Sequence, residues 1–206
     1  MTPPLALRFV LSAKDPRDLP DSPAEVALIG RSNVGKSSLV NALSGHRDLA
    51  RVSKTPGRTR LLNCFELKGG GTLVDCPGYG YAEASKKDRA AWGAMTERYL
   101  TEREPLAMVM VLVDGEIGPT RLDVDVLDWL RAKLISHTVV ATKHDKLKAT
   151  HRPRRRQEVA AGCRLVASDV VWVSAAKGVG IDDLRALVHL WTAAPASGRG
   201  TGGPGR

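Results

Sequence analysis

The chain has 206 residues, of which 43% are hydrophobic and 26% charged, a composition that excludes disordered, fibrous and collagen-like proteins. That length suits one domain with its own core rather than two. Thirty-one Lys and Arg against 22 Asp and Glu give a net charge of +9, which indicates a polyanionic partner without identifying it.

Residues 106–113 form the longest apolar run, which is far too short to cross a bilayer. The first twenty residues lack the features of a secretion signal. Cys64, Cys76 and Cys163 are too scattered for a disulfide framework or a zinc site, and we interpret them as free core thiols. We therefore expect a cytoplasmic protein without a membrane span.

Short apolar runs alternate with segments of helical periodicity along the chain, a pattern typical of a parallel sheet covered on both faces. Strands are predicted over 25–29, 61–67, 72–74, 106–113, 138–141 and 170–173, and helices over about 36–43, 84–103, 121–133, 154–166 and 181–191. Gly69, Gly70 and Gly71 leave no room for a crossover helix, so the strands beside them should form an antiparallel hairpin at one sheet edge. We predict an α/β domain over residues 21–193 with a mostly parallel six-stranded sheet and one antiparallel edge strand. Residues 1–20 would be a partly ordered extension and 194–206 a disordered Gly-rich tail.

Residues 30–37 fit the pattern G-x-x-x-x-G-K-[ST] between a predicted strand and a predicted helix. Backbone N–H groups of such a loop surround a phosphate, and the following helix N-terminus adds partial positive charge. Lys36 can reach the β and γ phosphates, and the Ser37 hydroxyl can bind Mg²⁺. The alternative is a glycine turn that only starts a helix.

The stretch TKHD, residues 142–145, follows a predicted strand and can identify the base, because ligands of such folds lie at the carboxyl ends of the strands. The Asp145 carboxylate can accept hydrogen bonds from the N1–H and the exocyclic amine of guanine, which adenine lacks, so an ATPase is disfavoured. The Lys143 stem would lie along the base. Alone this motif is weak and reads as an exposed loop; after a phosphate loop it predicts guanine binding.

Three further segments complete the predicted site. Asp75 ends a strand and can hold Mg²⁺ through water, while the Gly78 N–H can approach the γ phosphate. Thr59 is a candidate second Mg²⁺ ligand on a segment able to order around that phosphate. Residues 174–178 follow Val173 in the stretch VSAAKG and can close over the base through backbone groups.

The stretches GRSNVGKSSL, SKTPGRTR and DCPGYGYA, in this order, resemble the translation-factor-related GTPases and, more narrowly, the EngB (YihA/YsxC-like) family of bacterial GTPases. The resemblance spans roughly residues 20–191. It implies a three-layer, Ras-like P-loop GTPase fold, binding of GTP, GDP and Mg²⁺, and slow hydrolysis of GTP by a monomer. It also implies a role in assembling the large ribosomal subunit, with its rRNA and proteins as partners, and a requirement for cell division and septation.

The same resemblance supplies the site residues. Lys36, Thr59 and Gly78 take the catalytic roles, and Ser37, Thr59 and Asp75 hold Mg²⁺, the last through water. The nucleotide contacts fall on Gly30, Arg31, Ser32, Asn33, Val34, Gly35, Lys36, Ser37, Ser38, Gly57, Arg58, Thr59, Arg60, Leu61, Asp75, Cys76, Pro77, Gly78, Thr142, Lys143, His144, Asp145, Val173, Ser174 and Ala175.

Tyr79 stands where many small GTPases carry the Gln that orients the attacking water, so we predict slow intrinsic hydrolysis that a partner accelerates. Asn33 resembles the asparagine of cation-activated GTPases and is a candidate K⁺ ligand; the alternative is that it only fixes the loop. Arg58 and Arg60 are rival sources of positive charge, or solvent-facing residues that contact phosphate groups.

Residues 143–157 form the densest basic stretch, KHDKLKATHRPRRRQ. Contact with rRNA phosphates and a solvated helix face are both open interpretations. A nucleotide-gated septum protein with incidental hydrolysis is the main alternative function. A GTPase of tRNA modification or metal transport is disfavoured, because no helical domain or transmembrane segment accompanies the predicted domain.

Overall fold

A computed structural model describes residues 2–50, 61–80 and 86–193, with the side chains of 86–92 outside the description. The strands are β1 (Leu7–Ala13), β2 (Glu25–Gly30), β3 (Leu62–Leu67), β4 (Thr72–Asp75), β5 (Leu106–Asp114), β6 (His137–Thr142) and β7 (Val170–Trp172). The α-helices are α1 (Lys36–Ser44), α2 (Lys86–Glu102), α3 (Arg121–Ala132), α4 (Arg152–Gly162) and α5 (Ile181–Ala193).

The strands form one seven-stranded sheet in the order β1-β3-β4-β2-β5-β6-β7. Strand β3 runs antiparallel to both its neighbours, and the pairs from β4 to β7 are parallel. The predicted α/β class and the β3–β4 hairpin are confirmed, and its turn contains three consecutive glycines with positive φ, Gly69, Gly70 and Gly71. Two details are corrected: the sheet has seven strands rather than six, and β1 lies outside the hairpin at the edge.

The additional strand β1 lies within the predicted N-terminal extension, and a β-bulge explains why its pattern does not read as a strand. Phe9 pairs with Phe65 and Leu11 with Cys64, so Val10 has no partner across the ladder. A bulge of one residue reverses which face the following side chains occupy. Leu7 therefore packs on one side of the sheet and Ala13 on the other, which destroys the period of two expected for a strand.

Two apolar layers cover the two faces of the sheet. On one face Ala27 and Ile29 pack with residues of α2, α3 and α4, among them Leu100, Leu127 and Val159. On the other face Val26 and Leu28 pack with residues of α1 and α5. Strand β2 is buried along its whole length, as expected for a central parallel strand, and its end therefore has a fixed position.

The parallel strands β2, β4, β5, β6 and β7 all end at the same edge of the sheet, and the predicted phosphate, metal and base residues follow these ends. Among the residues that the structure describes, no helix is both long and apolar enough to cross a membrane.

Candidate nucleotide site

The phosphate loop (residues 30–37) turns tightly between β2 and α1. A Cβ atom on Gly30 would lie 2.8 Å from Val34 Cγ1 and 2.9 Å from the Leu112 carbonyl oxygen, so only glycine fits there. Asn33 and Gly35 have φ of 64° and 107°. These left-handed residues curl the backbone, and asparagine and glycine tolerate that conformation best.

Helix α1 begins at Lys36 directly from this loop. Gly35 at its N-cap supplies no side-chain hydrogen bond, and the first turn contains no acidic residue. The first N–H groups of a helix have no partner within it, and the helix dipole adds partial positive charge at this end. The start of α1, with Ser37 and Ser38 half-buried beside Lys36, is therefore suited to an anion.

Asp75 ends β4 and lies 2% exposed, and among the described residues its Oδ1 atom has no hydrogen-bond partner. Burial raises the pKa of Asp75 to about 6, although the positive charge of Lys36 opposes this shift. A buried carboxylate oxygen without a partner is costly unless a ligand or cation satisfies it. Together with the Ser37 hydroxyl, Asp75 fits a hydrated Mg²⁺ ion.

The segment after Asp75 lies against the phosphate loop. A Cβ atom on Gly78 would lie 3.1 Å from both Lys36 Nζ and the Ser32 backbone nitrogen. The Tyr79 N–H donates to the Gly30 carbonyl at 3.2 Å, and the Ser32 N–H donates to the Tyr79 carbonyl at 3.0 Å. Gly78 is thus placed next to the γ-phosphate position that the sequence predicts.

The base loop (residues 142–145) is fixed by hydrogen bonds to its neighbours. The Thr142 hydroxyl donates to the Val34 carbonyl of the phosphate loop at 2.7 Å. Lys143 Nζ donates to Asp114 Oδ2 at 2.6 Å, while Asp114 Oδ1 accepts the N–H groups of Glu116 and Ile117. These bonds join the predicted phosphate and base positions into one rigid unit.

Asp145 is oriented by β7 and the loop after it. The Ser174 hydroxyl donates to Asp145 Oδ1 at 2.6 Å and itself accepts the Lys177 N–H at 3.1 Å. The hydrogen bond from Ser174 is the main reason why the pKa of Asp145 is lowered, so its carboxylate is ionised at neutral pH. An ionised carboxylate held in this way can accept two hydrogen bonds from one edge of a base.

Two predicted contact residues have side chains directed into the interior. The His144 ring is buried and packs edge-to-face on Trp172 with ring centroids 5.8 Å apart. Burial, followed by the charges of Arg152 and Arg156, lowers the pKa of His144. The Cys76 thiol is also fully buried. Only the backbone of these two residues is available to a ligand at the loop surface.

The remaining predicted residues divide into two groups. Gly57, Arg58, Thr59 and Arg60 lie outside the described residues, so the second Mg²⁺ ligand and the rival arginines stay predictions. The second group lies next to the ends of strands and comprises Arg31, Leu61, Pro77, Val173 and Ala175. Of these, Arg31 and Ala175 are half-buried.

Sequence reasoning missed two carboxylates that organise this region. Asp114 ends β5 at the same sheet edge as the other site residues, and that position alone could have identified it. Asp123 is fully buried in α3 and accepts hydrogen bonds from the Thr120 N–H and hydroxyl, both at 2.7 Å. The pattern Thr-x-x-Asp at a helix start is a capping box, which predicts this structural contact.

Comparisons with known proteins identify the family of this chain. Residues 25–143 match the family model described as a 50S ribosome-binding GTPase. A protein named probable GTP-binding protein EngB from Myxococcus xanthus is 45% identical over 188 residues, which cover 87% of this chain and 91% of that protein. The protein of the same name from Pelotomaculum thermopropionicum is 43% identical over 185 residues, covering 89% and 93%.

Solved structures support the fold. The crystal structure of a probable GTP-binding protein EngB superposes with a TM-score of 0.67 at 24% identity, covering 82% of this chain and 99% of that one. Era in complex with MgGDPNP and nucleotides of 16S ribosomal RNA superposes with a TM-score of 0.67 at 22% identity, covering 90% of this chain and 59% of that one. The protein has a P-loop GTPase fold and belongs to the EngB family of GTP-binding proteins.

Proposed function

We propose that this protein is a cytoplasmic GTP-operated switch that hydrolyses GTP slowly and acts in assembly of the large ribosomal subunit, and that normal division and septation require it. The observation that carries the nucleotide part is the Ser174–Asp145 hydrogen bond, which presents an ionised carboxylate at the base position. The family model's description as a ribosome-binding GTPase supports the ribosomal part.

Guanine selectivity follows from the chemistry of Asp145. Its carboxylate can accept from both N1–H and the exocyclic amine of guanine, and the edge of adenine offers no such pair of donors. Lys143 Nζ is held by Asp114 at 2.6 Å, and the Lys143 stem would lie along the base. The base loop is joined to the phosphate loop through Thr142, so base and phosphates are bound by one preformed frame.

The phosphate side supports Mg²⁺-dependent binding. Ser37 and Asp75 would hold the ion, Asp75 through a water molecule, and Thr59 is a proposed second ligand. When bound, Mg²⁺ neutralises charge on the β and γ phosphate oxygens. Lys36 adds a fixed positive charge, and the N-terminus of α1 orients backbone N–H groups toward the phosphates.

Slow hydrolysis follows from the position of Tyr79. Its phenol lacks the amide group that orients the attacking water in many small GTPases, and in this structure its hydroxyl donates to Asp123 Oδ1 at 2.8 Å. No side chain of the described residues 75–80 offers the amide that orients such a water in many small GTPases. A ribosomal partner or a K⁺ ion would supply the missing stabilisation.

A basic face on and before α4 supports contact with rRNA; we define it as Lys146, Lys148, His151, Arg152, Arg154, Arg155 and Arg156. Four of these cations are in the first half of α4, whose first turn contains no acidic residue. Cations near a helix N-terminus interact unfavourably with the helix dipole, so these arginines destabilise α4 when no partner is bound. Glu158 is shared by Arg154 at 2.7 Å and Arg155 at 3.2 Å. A polyanion would relieve the excess positive charge.

Salt-dependent binding to purified large-subunit rRNA tests this face. Replacing Arg154, Arg155 and Arg156 with Gln should weaken binding and reduce the slope of log affinity against log salt by about two units, because fewer counterions are released. A control with Arg8, Lys14 and Lys68 changed to Gln removes the same charge near β1 and β3, at the edge of the sheet opposite to β6 and β7. An unchanged slope in the α4 variant would favour the solvated-face interpretation.

The alternative is a septum protein with incidental hydrolysis. Depletion in cells distinguishes the two functions, with ribosome profiles and cell morphology followed together. Loss of mature large subunits before division fails would support the assembly switch. Division defects with normal ribosome profiles would support the septum protein.

A further inference from the structure

Tyr79 is held at both its backbone and its side chain. Its N–H and carbonyl pair with Gly30 and Ser32 of the phosphate loop at 3.2 and 3.0 Å. Its hydroxyl donates to Asp123 Oδ1 at 2.8 Å. The residue directly after Gly78 therefore connects the phosphate loop to the first turn of α3.

Asp123 is a rigid acceptor for this hydroxyl. Its other oxygen accepts the Thr120 N–H and hydroxyl, and Arg31 Nε lies 3.7 Å from that oxygen. The carboxylate is fully buried, so water cannot replace the Tyr79 hydroxyl as a hydrogen-bond donor when that hydroxyl moves away. Burial and then the charge of Asp123 raise the pKa of Tyr79, so the phenol keeps its proton at neutral pH and acts as a donor.

The held position of Tyr79 brings Gly78 close to the γ-phosphate position. A Cβ atom on Gly78 would already lie 3.1 Å from both Lys36 Nζ and the Ser32 nitrogen. A terminal phosphate is larger than a methyl group, so its binding to Lys36 on this side requires Gly78 to move away. In addition the Tyr79 carbonyl occupies the Ser32 N–H, which is one donor of the phosphate loop.

We propose that the Tyr79–Asp123 hydrogen bond is a latch that holds residues 75–79 against the phosphate loop and thereby disfavours the nucleoside triphosphate relative to the diphosphate. The latch rests on the nucleotide binding proposed above. A bound triphosphate displaces Gly78, Tyr79 follows because it is the next residue, and the hydroxyl leaves Asp123. The free energy needed to break this hydrogen bond lowers the affinity for the triphosphate and leaves the affinity for the diphosphate unchanged.

The substitution Tyr79→Phe tests the latch, because it removes one hydroxyl and keeps the ring. Affinities for GDP and for a non-hydrolysable GTP analogue are measured by titration calorimetry with Mg²⁺, and their ratio is compared. We expect the affinity for the triphosphate relative to GDP to rise by about tenfold, since the substitution removes a partly buried hydrogen bond to a carboxylate from the latched form alone.

Tyr99→Phe is the matched control. Tyr99 is fully buried whereas Tyr79 is partly buried, and the Tyr99 hydroxyl likewise donates to a buried carboxylate, that of Glu25, at 3.1 Å. Glu25 starts β2, whereas the phosphate loop follows the end of that strand, so the ratio should stay at the wild-type value. Both variants lose the same chemical group, and their thermal unfolding shows whether general destabilisation contributes.

Three outcomes would overturn the latch. An unchanged ratio in Tyr79→Phe, with both nucleotides still bound, would reject it and leave the proposed function intact. A ratio moved toward GDP would also reject it, because the hydroxyl would then favour the triphosphate. A wild-type protein that binds neither nucleotide would reject the proposed function and the latch together.

Discussion

The base loop and the Asp75–Tyr79 segment lie at the same edge of the sheet but differ in how completely their polar groups are satisfied. Asp145 accepts a hydrogen bond from Ser174, which orients its carboxylate to accept further hydrogen bonds from a base. Asp75 is buried with Oδ1 lacking a partner among the described residues, and Gly78 lies close to Lys36. One region is complete before nucleotide binds, and the other must rearrange.

This difference separates two tasks. In the proposed function, a preformed base loop would lose little conformational freedom on binding and would bind the base of the diphosphate and the triphosphate equally. A segment with an unsatisfied carboxylate gains most when a cation and a γ phosphate arrive, so it can distinguish the two nucleotides. Recognition of guanine and recognition of the nucleotide state should therefore respond to different substitutions.

The largest expected effect is on the base loop. Asp145→Asn should lower the affinity for GDP and GTP alike by at least about 100-fold, because the amide cannot accept both guanine donors. The Asn amine can instead donate to the C2 oxygen of xanthine, so affinity for xanthosine diphosphate should rise. Competition binding with the two diphosphates measures both changes.

The exposed Asp125 on α3 offers a control carboxylate for this experiment. Asp125→Asn should leave nucleotide choice at the wild-type value. Retention of guanine preference in Asp145→Asn would refute the assignment of the base loop.

An intermediate effect is expected at Asp75. Burial raises its pKa to about 6 from 3.8, so the folded chain holds the proton more tightly than the unfolded chain. The contribution of Asp75 to the stability of the nucleotide-free protein is therefore largest below about pH 4, and this contribution is lost as the pH rises through 6. Asp75→Asn should remove that loss and raise the free energy of unfolding at pH 7.5 by about 3 kcal/mol, or several degrees in Tm.

The same variant should bind the triphosphate less tightly in the presence of Mg²⁺, with little change for the diphosphate without metal. Thermal unfolding across pH and nucleotide titrations measure the two effects. Asp21→Asn, at an exposed carboxylate, is the control. A less stable Asp75→Asn protein at pH 7.5 would contradict the description of Asp75 as a buried, unsatisfied charge.

The smallest effect concerns Asn33, where K⁺ binding and loop geometry are competing explanations. Asn33 is exposed with φ of 64°, a conformation that glycine also adopts. If its side-chain oxygen binds K⁺, hydrolysis should be several-fold faster in KCl than in NaCl at equal ionic strength, and Asn33→Gly should abolish the difference. Equal wild-type rates in the two salts would leave only the loop-fixing role.

Much of the fold was predictable because local patterns and tertiary packing agree. The buried strand β2, the glycine-containing phosphate loop and the start of α1 at Lys36 follow directly from the residues. Strand β1 was not predictable from periodicity, because the bulge at Val10 reverses the faces of its side chains midway. A pattern that changes phase cannot be distinguished from an irregular segment without its pairing partner.

The candidate site was predictable where a motif fixes the backbone and less so where contacts join distant segments. Motifs alone are enough to propose Lys36 and Asp145 as site residues, but no motif predicts the hydrogen bond from Tyr79 to Asp123, which spans 44 residues. Motif reasoning also assigns His144 to the base loop without showing that its ring lies inside against Trp172. Side-chain direction at such positions is decided by packing between elements.

The most direct test of the central claim is co-sedimentation of the purified protein with separated large and small ribosomal subunits. The protein would carry GDP or a non-hydrolysable GTP analogue, at two salt concentrations. We predict binding to the large subunit in the triphosphate form, weakened by higher salt. Absence of nucleotide-dependent binding to either subunit would contradict the assembly switch and favour the septum protein.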